Sequence, residues 1–412
     1  MANIAVLGYG TVGSGVVELI NTNKSIVTKN AKEEINIKYI LDLKDFPNEP
    51  IQKIITHNFD DILNDNSIDV VVEVLGGINP AYTFVKSALL KGKSVCTSNK
   101  ELVATHGEEL MNIAINNNIN FLFEASVGGG IPIINPLHNS ITADNILEID
   151  GILNGTTNYM LTKMLDENLD YDDVLKAAQL KGYAEKDPSA DVEGYDACRK
   201  IAILASIATG KKVDYNDVYT EGITYITKSD IDYIKSLDKT IKLIAKASFN
   251  DNTIWARVAP TIINKDNPLA LVNNVFNAIK LKGDMLNDIM FYGKGAGKLP
   301  TASAVVSDII LAVKNKNNCI TTAWASDKQE LMPIDNVAVK KFVRIEYTNK
   351  EEALAYINQI FGNDVLIKDI NIENELAFIT AKANEIDINK NLDKLLNLNC
   401  IIGIPNTIRI ED

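Results

Sequence analysis

Three glycines at a fixed spacing constrain the fold of this chain more than any other feature of its sequence. Gly8, Gly10 and Gly13 follow the apolar run 4–7 and open a segment with helical periodicity. In a strand–turn–helix unit the first glycine permits a tight turn, the second lets the backbone approach a pyrophosphate, and the third lets helix and strand pack closely. The loop therefore predicts a dinucleotide site, with a purely structural glycine turn as the alternative. The predicted cofactor contacts are Gly8, Gly10, Thr11, Val12 and Gly13.

Short apolar runs alternate with helical segments over the first 125 residues. This alternation is typical of parallel βαβ units, and it predicts an α/β fold with a Rossmann-type, doubly wound parallel sheet. The predicted strands are 4–7, 37–41, 70–74, 94–97 and 121–124, and the predicted helices include 13–23, 81–91 and 107–117.

The rest of the chain divides into further domains, as a length of 412 residues leads us to expect. Three glycines and a proline at 128–132 mark a junction. We predict a dinucleotide-binding domain at 1–130, to which 301–320 returns, and an α+β domain at 131–300 with strands at 147–153, 254–260 and 288–292. Residues 340–412 follow the order βαββαβ of a ferredoxin-like unit, at 342–347, 350–362, 365–371, 376–381, 388–396 and 407–410.

Charge and composition exclude several classes of function. Lys plus Arg is 41 and Asp plus Glu is 54, so the net charge of −13 argues against nucleic acid as a partner. The first strand begins near the N-terminus without a signal-like segment, and no 18-residue uncharged apolar run occurs, so we expect a cytoplasmic protein that does not enter membranes. The four cysteines form no Cys-x-x-Cys pair, and the three histidines lack zinc-ligand spacing.

The end of the second predicted strand normally decides between NAD and NADP. An acid there holds the ribose 2′-hydroxyl, whereas a base holds a 2′-phosphate. Asp42 ends the strand, but Lys44 follows two residues later. The sequence therefore predicts Asp42 as a cofactor contact and leaves the choice of NAD(P) open. A solvated strand end is the alternative for Asp42.

Two segments carry candidate catalytic groups. Lys100 follows the fourth predicted strand, and ligands of open α/β sheets lie beyond the carboxyl ends of strands. Asp196 and Lys200 are four residues apart on a predicted helix, within the densely charged segment 182–200. A lysine can protonate the alkoxide that forms when an aldehyde is reduced by hydride. Spacing alone leaves an ordinary surface ion pair as the alternative.

Seven segments in order resemble those of homoserine dehydrogenases, over roughly residues 1–320. The resemblance implies the reversible NAD(P)-dependent reduction of L-aspartate 4-semialdehyde to L-homoserine, a step in threonine, methionine and isoleucine biosynthesis. The matching segments are 8–16, 73–77, 97–100, 124–132, 151–159, 182–200 and 293–304.

Residue roles also follow from this resemblance. It implies that Lys200 is the proton donor and acceptor, that Asp196 supports it, and that Lys100 helps to bind and polarise the reacting oxygen. It implies substrate contacts at Glu185, Asp191 and Thr156, with Glu185 on the amino group, and further cofactor contacts at Thr97, Ser98, Lys100 and Gly297. The family commonly binds a structural sodium ion, here matching Glu124, Val127, Gly129 and Ile131, and oxygen ligands suit such an ion.

By analogy with the family, the middle domain supplies the interface of a homodimer or higher homo-oligomer, and the C-terminal unit is ACT-like. Amino-acid-binding ACT domains usually carry a glycine turn after the first strand, but this chain has Asn349 and Lys350 there. Threonine feedback is thus a hypothesis that rests on the fold alone. Two rivals remain: a thioester-forming aldehyde dehydrogenase, for which no cysteine stands in an obvious nucleophile turn, and a catalytically silent nucleotide-binding sensor.

Overall fold

The computed structural model describes residues 1–250 and 253–411. These residues form two compact units. The first unit comprises Met1–Ile149, Arg199–Tyr215 and Ala278–Gln329, and the second comprises the described residues of 150–198, 216–277 and 330–412. Among the described residues, no helix combines the length and the apolar character needed to cross a lipid bilayer.

The elements of the chain are numbered from the N-terminus. Up to residue 139 they are β1 (Ala2–Leu7), α1 (Thr11–Thr22), α2 (Lys24–Ala31), β2 (Ile35–Leu41), β3 (Ile55–Thr56), α3 (Phe59–Leu63), β4 (Ile68–Glu73), α4 (Ala81–Leu90), β5 (Ser94–Thr97), α5 (Lys100–Asn116), β6 (Phe121–Leu122) and α6 (Ile134–Asn139).

The middle of the chain contains β7 (Ile146–Ile152), α7 (Gly155–Glu167), α8 (Tyr171–Leu180), α9 (Ser189–Val192), α10 (Tyr195–Thr209), β8 (Lys211–Lys212), β9 (Tyr219–Thr220), α11 (Lys228–Ser236), β10 (Lys239–Asn250), β11 (Thr253–Asn264) and β12 (Phe276–Gly283). The remaining elements are β13 (Asn287–Lys294), α12 (Lys298–Lys314), β14 (Ala325–Lys328), β15 (Ala338–Tyr347), α13 (Lys350–Phe361), β16 (Leu366–Lys368), β17 (Glu375–Ile379), β18 (Ala383–Asn384), α14 (Glu385–Leu396) and β19 (Ile401–Glu411).

The first unit contains the predicted doubly wound sheet. Its strands pair in the order β3-β2-β1-β4-β5-β6, and every pair is parallel. This order is that of dinucleotide-binding sheets, in which the ligand lies where the order reverses, between β1 and β4. The Rossmann-type fold predicted from the βαβ alternation is confirmed.

Helix α12 packs on the same core as β1 and α1. Ala302, Val305 and Ile309 of α12 are buried in one hydrophobic cluster with Ile4 and Val16. Gly15 allows the two helices to approach closely, because a Cβ there would lie 2.8 Å from the carbonyl oxygen of Lys298. A helix nearly 300 residues downstream in the sequence therefore completes the core of the nucleotide-binding fold.

Two sequence predictions in the first unit were wrong in their bounds. Helix α5 begins at Lys100 instead of residue 107, because the Asn99 side chain accepts a hydrogen bond from the Leu102 N–H (3.1 Å) and caps it. The last strand of the sheet ends at Leu122, and Glu124 starts a single 3-10 turn. Between residues 24 and 63, the short elements α2, β3 and α3 were not predicted.

The end of the second unit is ferredoxin-like, as predicted. The elements follow the order β15, α13, β16, β17, α14, β19, and the strands lie in the sheet order β19-β15-β17-β16 with antiparallel pairs. Strand β19 begins at Ile401, earlier than the predicted 407–410, because it pairs with β15 from Tyr347 onwards. Its end also pairs in parallel with β11 at Thr261–Ile263. Within the second unit the sheet thus continues as β10-β11-β19-β15-β17-β16.

Candidate active site

The glycine loop has the backbone geometry that a pyrophosphate requires. Gly8 has φ +100°, and a Cβ on Gly13 would lie 1.9 Å from the Gly8 carbonyl oxygen, so neither position tolerates a side chain without rearrangement. A Cβ on Gly10 would meet nothing within 4 Å, which leaves that side of the loop open. Helix α1 begins at Thr11 without a side-chain cap, so its first N–H groups face the loop.

The carboxyl end of β4 holds a buried carboxylate that the sequence analysis did not single out. The Glu73 side chain accepts hydrogen bonds from the N–H groups of Leu75 (2.8 Å) and Gly76 (3.3 Å) and from the Thr97 hydroxyl (2.5 Å). Burial raises the pKa of Glu73. Glu73 thus fixes the loop after β4 against the end of β5, at the edge of the sheet where ligands bind.

Asn99 and Lys100 lie just after the end of β5, at the start of α5. The Asn99 side chain donates to the Gly77 carbonyl (2.5 Å) as well as capping α5, so it connects the two loops at this edge. Lys100, the first residue of α5, is half-buried. The predicted contact Thr97 is buried, and its hydroxyl is used within the protein.

A second group of polar side chains lies in the second unit and centres on Asn154. The Asn154 amide donates to Asp191 (Nδ2 to Oδ1, 2.7 Å) and to Asp196 (Nδ2 to Oδ2, 2.9 Å). Its own oxygen accepts from the Thr157 N–H (2.8 Å), so Asn154 also caps helix α7. One side chain therefore holds two carboxylates at the start of the helix that carries Thr156.

The structure brings together Asp191 and Asp196, two of the acids predicted from sequence. Thr156 lies on α7 two residues after Asn154, and its hydroxyl donates to the Tyr183 carbonyl (2.7 Å). Glu185 follows two residues later and is exposed. Sequence reasoning missed Asn154, although an asparagine directly before a helix start is a recognisable cap signal.

Asp196 and Lys200 lie one turn apart on α10, as predicted. Only 5% of Asp196 and 8% of Lys200 is exposed, so these residues do not form an ordinary surface pair. Both residues lie in the first two turns of α10 (Tyr195–Thr209), so the helix itself fixes the spacing between them.

Glu124, the carboxylate of the expected cation site, is buried among backbone donors. It accepts hydrogen bonds from the N–H groups of Ile133 (2.6 Å), Ile134 (2.8 Å) and Asn135 (2.7 Å) and thereby caps α6. Its own N–H donates to Asp308 (2.8 Å), and burial followed by the Glu124 charge raises the pKa of Asp308. Among the described residues, no cluster of three or more His, Cys, Asp or Glu side chains is arranged for a metal ion.

Comparison with known proteins decides the family. The homoserine dehydrogenase NAD-binding model matches residues 8–124, and the homoserine dehydrogenase model matches 132–310. A homoserine dehydrogenase of Bacillus subtilis is 37% identical, over 99% of this chain and 98% of its own length. The chain belongs to the homoserine dehydrogenase family.

Solved structures of the family agree. That of a homoserine dehydrogenase from Thiobacillus denitrificans has a TM-score of 0.93 and 35% identity, and the match covers 100% of this chain and 98% of that one. A hyperthermophilic archaeal homoserine dehydrogenase in complex with NADPH has a TM-score of 0.65 and 31% identity, over 76% of this chain and 97% of its own.

Membership of the homoserine dehydrogenase family confirms the resemblance inferred from the seven segments. The chain is an NAD(P)-dependent oxidoreductase, and its reaction is the reversible reduction of L-aspartate 4-semialdehyde to L-homoserine. No comparison supports the silent sensor or the thioester-forming aldehyde dehydrogenase.

Proposed function

We propose that Lys200 is the proton donor and acceptor of this homoserine dehydrogenase reaction. Asp196 orients Lys200, and Lys100 binds and polarises the reacting oxygen. The observation that carries this proposal is the burial of both Asp196 and Lys200, one turn apart on α10. A buried ammonium requires a function or a partner, because its desolvation is costly.

The proposed roles account for the hydride, the electrons and the proton of the reaction. The reduced nicotinamide supplies a hydride to the aldehyde carbon when it is bound. As that bond forms, the π electrons of the carbonyl move to its oxygen, and a proton from the Lys200 ammonium completes the alcohol. In the oxidative direction the neutral Lys200 amine accepts the hydroxyl proton. Lys100 stabilises the negative charge that develops on the oxygen.

We propose that Glu185, Asp191 and Thr156 bind the amino acid part of the substrate, with Glu185 on the ammonium group. Asp191 shares the Asn154 amide with Asp196, so negative charge accumulates at the start of α7. Such a site attracts a cationic amino group. Cofactor contacts are assigned to Gly8, Gly10, Thr11, Val12, Gly13, Asp42, Thr97, Ser98, Lys100 and Gly297.

The decisive experiment replaces Lys200. We expect Lys200→Ala to lower kcat with homoserine by about 10² to 10⁴, the usual size of a general acid–base contribution, while cofactor binding is retained. Lys176→Ala, on the exposed side of α8, is the matched control and should leave kcat unchanged. Turnover of Lys200→Ala near that of the parent would remove Lys200 from the mechanism.

Glu185 provides an independent test of substrate binding. Because Glu185 is proposed to contact the ammonium group in the ground state and the transition state alike, Glu185→Gln should raise KM for homoserine more than it lowers kcat. A change in kcat alone would contradict that role.

We further propose that a sodium ion binds at Glu124 with the backbone carbonyls of Val127, Gly129 and Ile131. Three N–H groups occupy the Glu124 carboxylate, which leaves it one further lone pair of about four. A cation there would offset the charge of a buried carboxylate and play a structural part. Replacing potassium with sodium at constant ionic strength should then increase Tm. Equal Tm values in the sodium and potassium salts would rule the site out.

The assembly, the localisation and the domain boundaries of the chain are also proposals. We propose a cytoplasmic homodimer or higher homo-oligomer whose interface lies in 131–300, with a dinucleotide-binding domain at 1–130 that includes 301–320. The ferredoxin-like unit at 340–412 is proposed to be ACT-like, which its strand order supports. Sedimentation of the full chain measures the assembly, and a monomer at micromolar concentration would exclude it.

A further inference from the structure

Asp42 occupies the end of β2 in a fixed orientation. Its Oδ2 accepts a hydrogen bond from the Tyr9 N–H (2.8 Å), inside the glycine loop, and its Oδ1 accepts from the Lys44 N–H (2.9 Å). Two backbone donors from different loops therefore hold the carboxylate. A carboxylate has about four lone-pair positions, so each oxygen can still accept a hydrogen bond from a ligand.

The cations near Asp42 are not held in a comparable way. Lys44 contacts Asp42 through its backbone N–H, and its side chain is exposed. His57 lies closer, but its Nδ1 bonds the Asp42 carbonyl (2.7 Å) and its Nε2 faces Asp45 (3.3 Å). Of the two residues between which the sequence could not decide, Asp42 therefore has the side chain that the structure holds in place at this strand end, and Lys44 does not.

Further carboxylates surround this strand end. The Tyr9 hydroxyl donates to Glu49 (3.0 Å), and the Tyr9 ring packs edge-on against Phe46, whose neighbour is Asp45. Burial, followed by the hydrogen bond to Glu49 and its charge, raises the pKa of Tyr9 to about 12. Asp42, Asp45 and Glu49 together leave the strand end acidic.

We propose that this homoserine dehydrogenase selects NAD(H) over NADP(H), and that Asp42 determines the selection. In this fold the ribose of the adenosine half lies at the end of the second strand. A 2′-hydroxyl can donate to the Asp42 carboxylate, whereas a 2′-phosphate would bring two negative charges against it. The proposal deepens the proposed function, because it names the dinucleotide that the site prefers.

Cofactor binding without substrate tests the inference separately from catalysis. Titration by cofactor fluorescence should give a Kd for NADPH at least about 100-fold above that for NADH, since like charges in a binding site are strongly unfavourable. Steady-state kcat/KM with the two cofactors should follow the same order. If NADH binds tightly but homoserine is not turned over, the proposed function fails and the selectivity stands.

Asp42→Asn removes the charge and retains one acceptor for the loop. We expect Asp42→Asn to weaken the binding of NADH and to strengthen the binding of NADPH. The ratio of the NADPH Kd to the NADH Kd should therefore fall about tenfold or more. Opposite changes for two ligands cannot result from partial unfolding. Asp173→Asn, which removes one exposed carboxylate on α8, is the control and should leave the ratio unchanged. The proposal is overturned if Asp42→Asn leaves this ratio of Kd values equal to that of the parent. It is also overturned if the parent protein binds NADPH at least as tightly as NADH.

Discussion

The two units of this protein stabilise their carboxylates in different ways. In the first unit, Glu73 and Glu124 accept hydrogen bonds mainly from backbone N–H groups. In the second unit the partners are mainly side chains. Arg344 bonds Asp230 (Nε to Oδ1, 2.8 Å), which also accepts from the Thr227 N–H (2.8 Å), and Arg409 bonds Glu385 (Nε to Oε2, 3.0 Å). Backbone donors exist in every sequence that adopts the fold, whereas a side-chain donor is lost in a single substitution.

The partners also differ in their separation along the chain. Glu73 bonds N–H groups two and three residues away, and Glu124 bonds the segment 9 to 11 residues on. Arg344 and Asp230 are 114 residues apart, and Asn154 and Asp196 are 42 apart. These carboxylate contacts of the second unit therefore form only when distant elements assemble, and substitutions that break them should be more costly than substitutions at the local contacts of Glu73 and Glu124.

The largest expected effect is that of Arg344→Met. Arg344 is 5% exposed and bonds Asp230 and Glu375 (Nη1 to Oε2, 2.7 Å), so its removal leaves two buried carboxylates without their cation. We expect the free energy of unfolding to fall by about 3–5 kcal/mol, measured by denaturant titration.

A surface ion pair in the same ferredoxin-like unit is the control. Lys350 pairs with Asp369 and is about half exposed, so Lys350→Ala should lower the free energy of unfolding far less than Arg344→Met does. Equal losses for the two variants would show that burial does not distinguish these pairs, and the contrast between the units would lose its basis.

The next effect concerns Lys242, a fully buried lysine of β10. Its Nζ donates to the Val272 carbonyl (2.6 Å), to Asn273 (2.8 Å) and to Asn158 (3.3 Å), and burial lowers its pKa from 10.5 to about 8. Between those values the unfolded chain binds a proton at this lysine that the folded chain lacks. Its contribution to the free energy of unfolding should therefore rise with pH over that window, by on the order of 3 kcal/mol in all.

Lys242→Met isolates this contribution. The difference in the free energy of unfolding between parent and variant should grow in favour of the parent from about pH 8 towards pH 10.5. A difference that stays constant over this range would mean that Lys242 titrates alike in the folded and unfolded chains.

The same contrast explains what the sequence could predict. The glycine loop and the βαβ alternation are local patterns, and they were sufficient for the parallel sheet and for the position of Gly13 against Gly8. The bounds of α5 were wrong because hydrophobic periodicity was given more weight than the Asn99 cap. The elements α2, β3 and α3, of two to eight residues, were missed, since a short element has too little periodicity to detect.

In the candidate site, sequence could identify residue types but not their partners. Asp191 and Asp196 were predicted from a charged segment and from resemblance to the family. Asn154, which bonds both, lies 37 and 42 residues before them, and no local pattern joins an amide to carboxylates at that distance. Glu73 was missed for another reason, because a single acid at a strand end gives no sign of how many N–H groups it will accept.

Asn154 provides the third test, this time of activity. Asn154→Ala removes the donor shared by Asp191 and Asp196, and we expect kcat/KM for homoserine to fall about 10- to 100-fold, the equivalent of one or two hydrogen bonds to charged groups. Asn154→Asp keeps an oxygen for the Thr157 N–H but adds a third carboxylate, so it should be at least as damaging. Full activity in Asn154→Asp would show that the amide merely caps α7.

The smallest expected effect lies in the first unit, at Asn99. Its side chain caps α5 and bonds the Gly77 carbonyl, both backbone partners, so Asn99→Ala should lower the free energy of unfolding by about 1–2 kcal/mol in denaturant titration. Asn117→Ala, at the exposed end of the same helix, is the control and should change it by less than about 0.5 kcal/mol. The Asn99 loss should remain below that of Arg344→Met, because Asn99 is uncharged and the buried Glu73 carboxylate beside it keeps its bonds from Leu75, Gly76 and Thr97. A loss at Asn99 as large as that at Arg344 would mean that local backbone contacts contribute as much to stability as the distant charged pairs of the second unit.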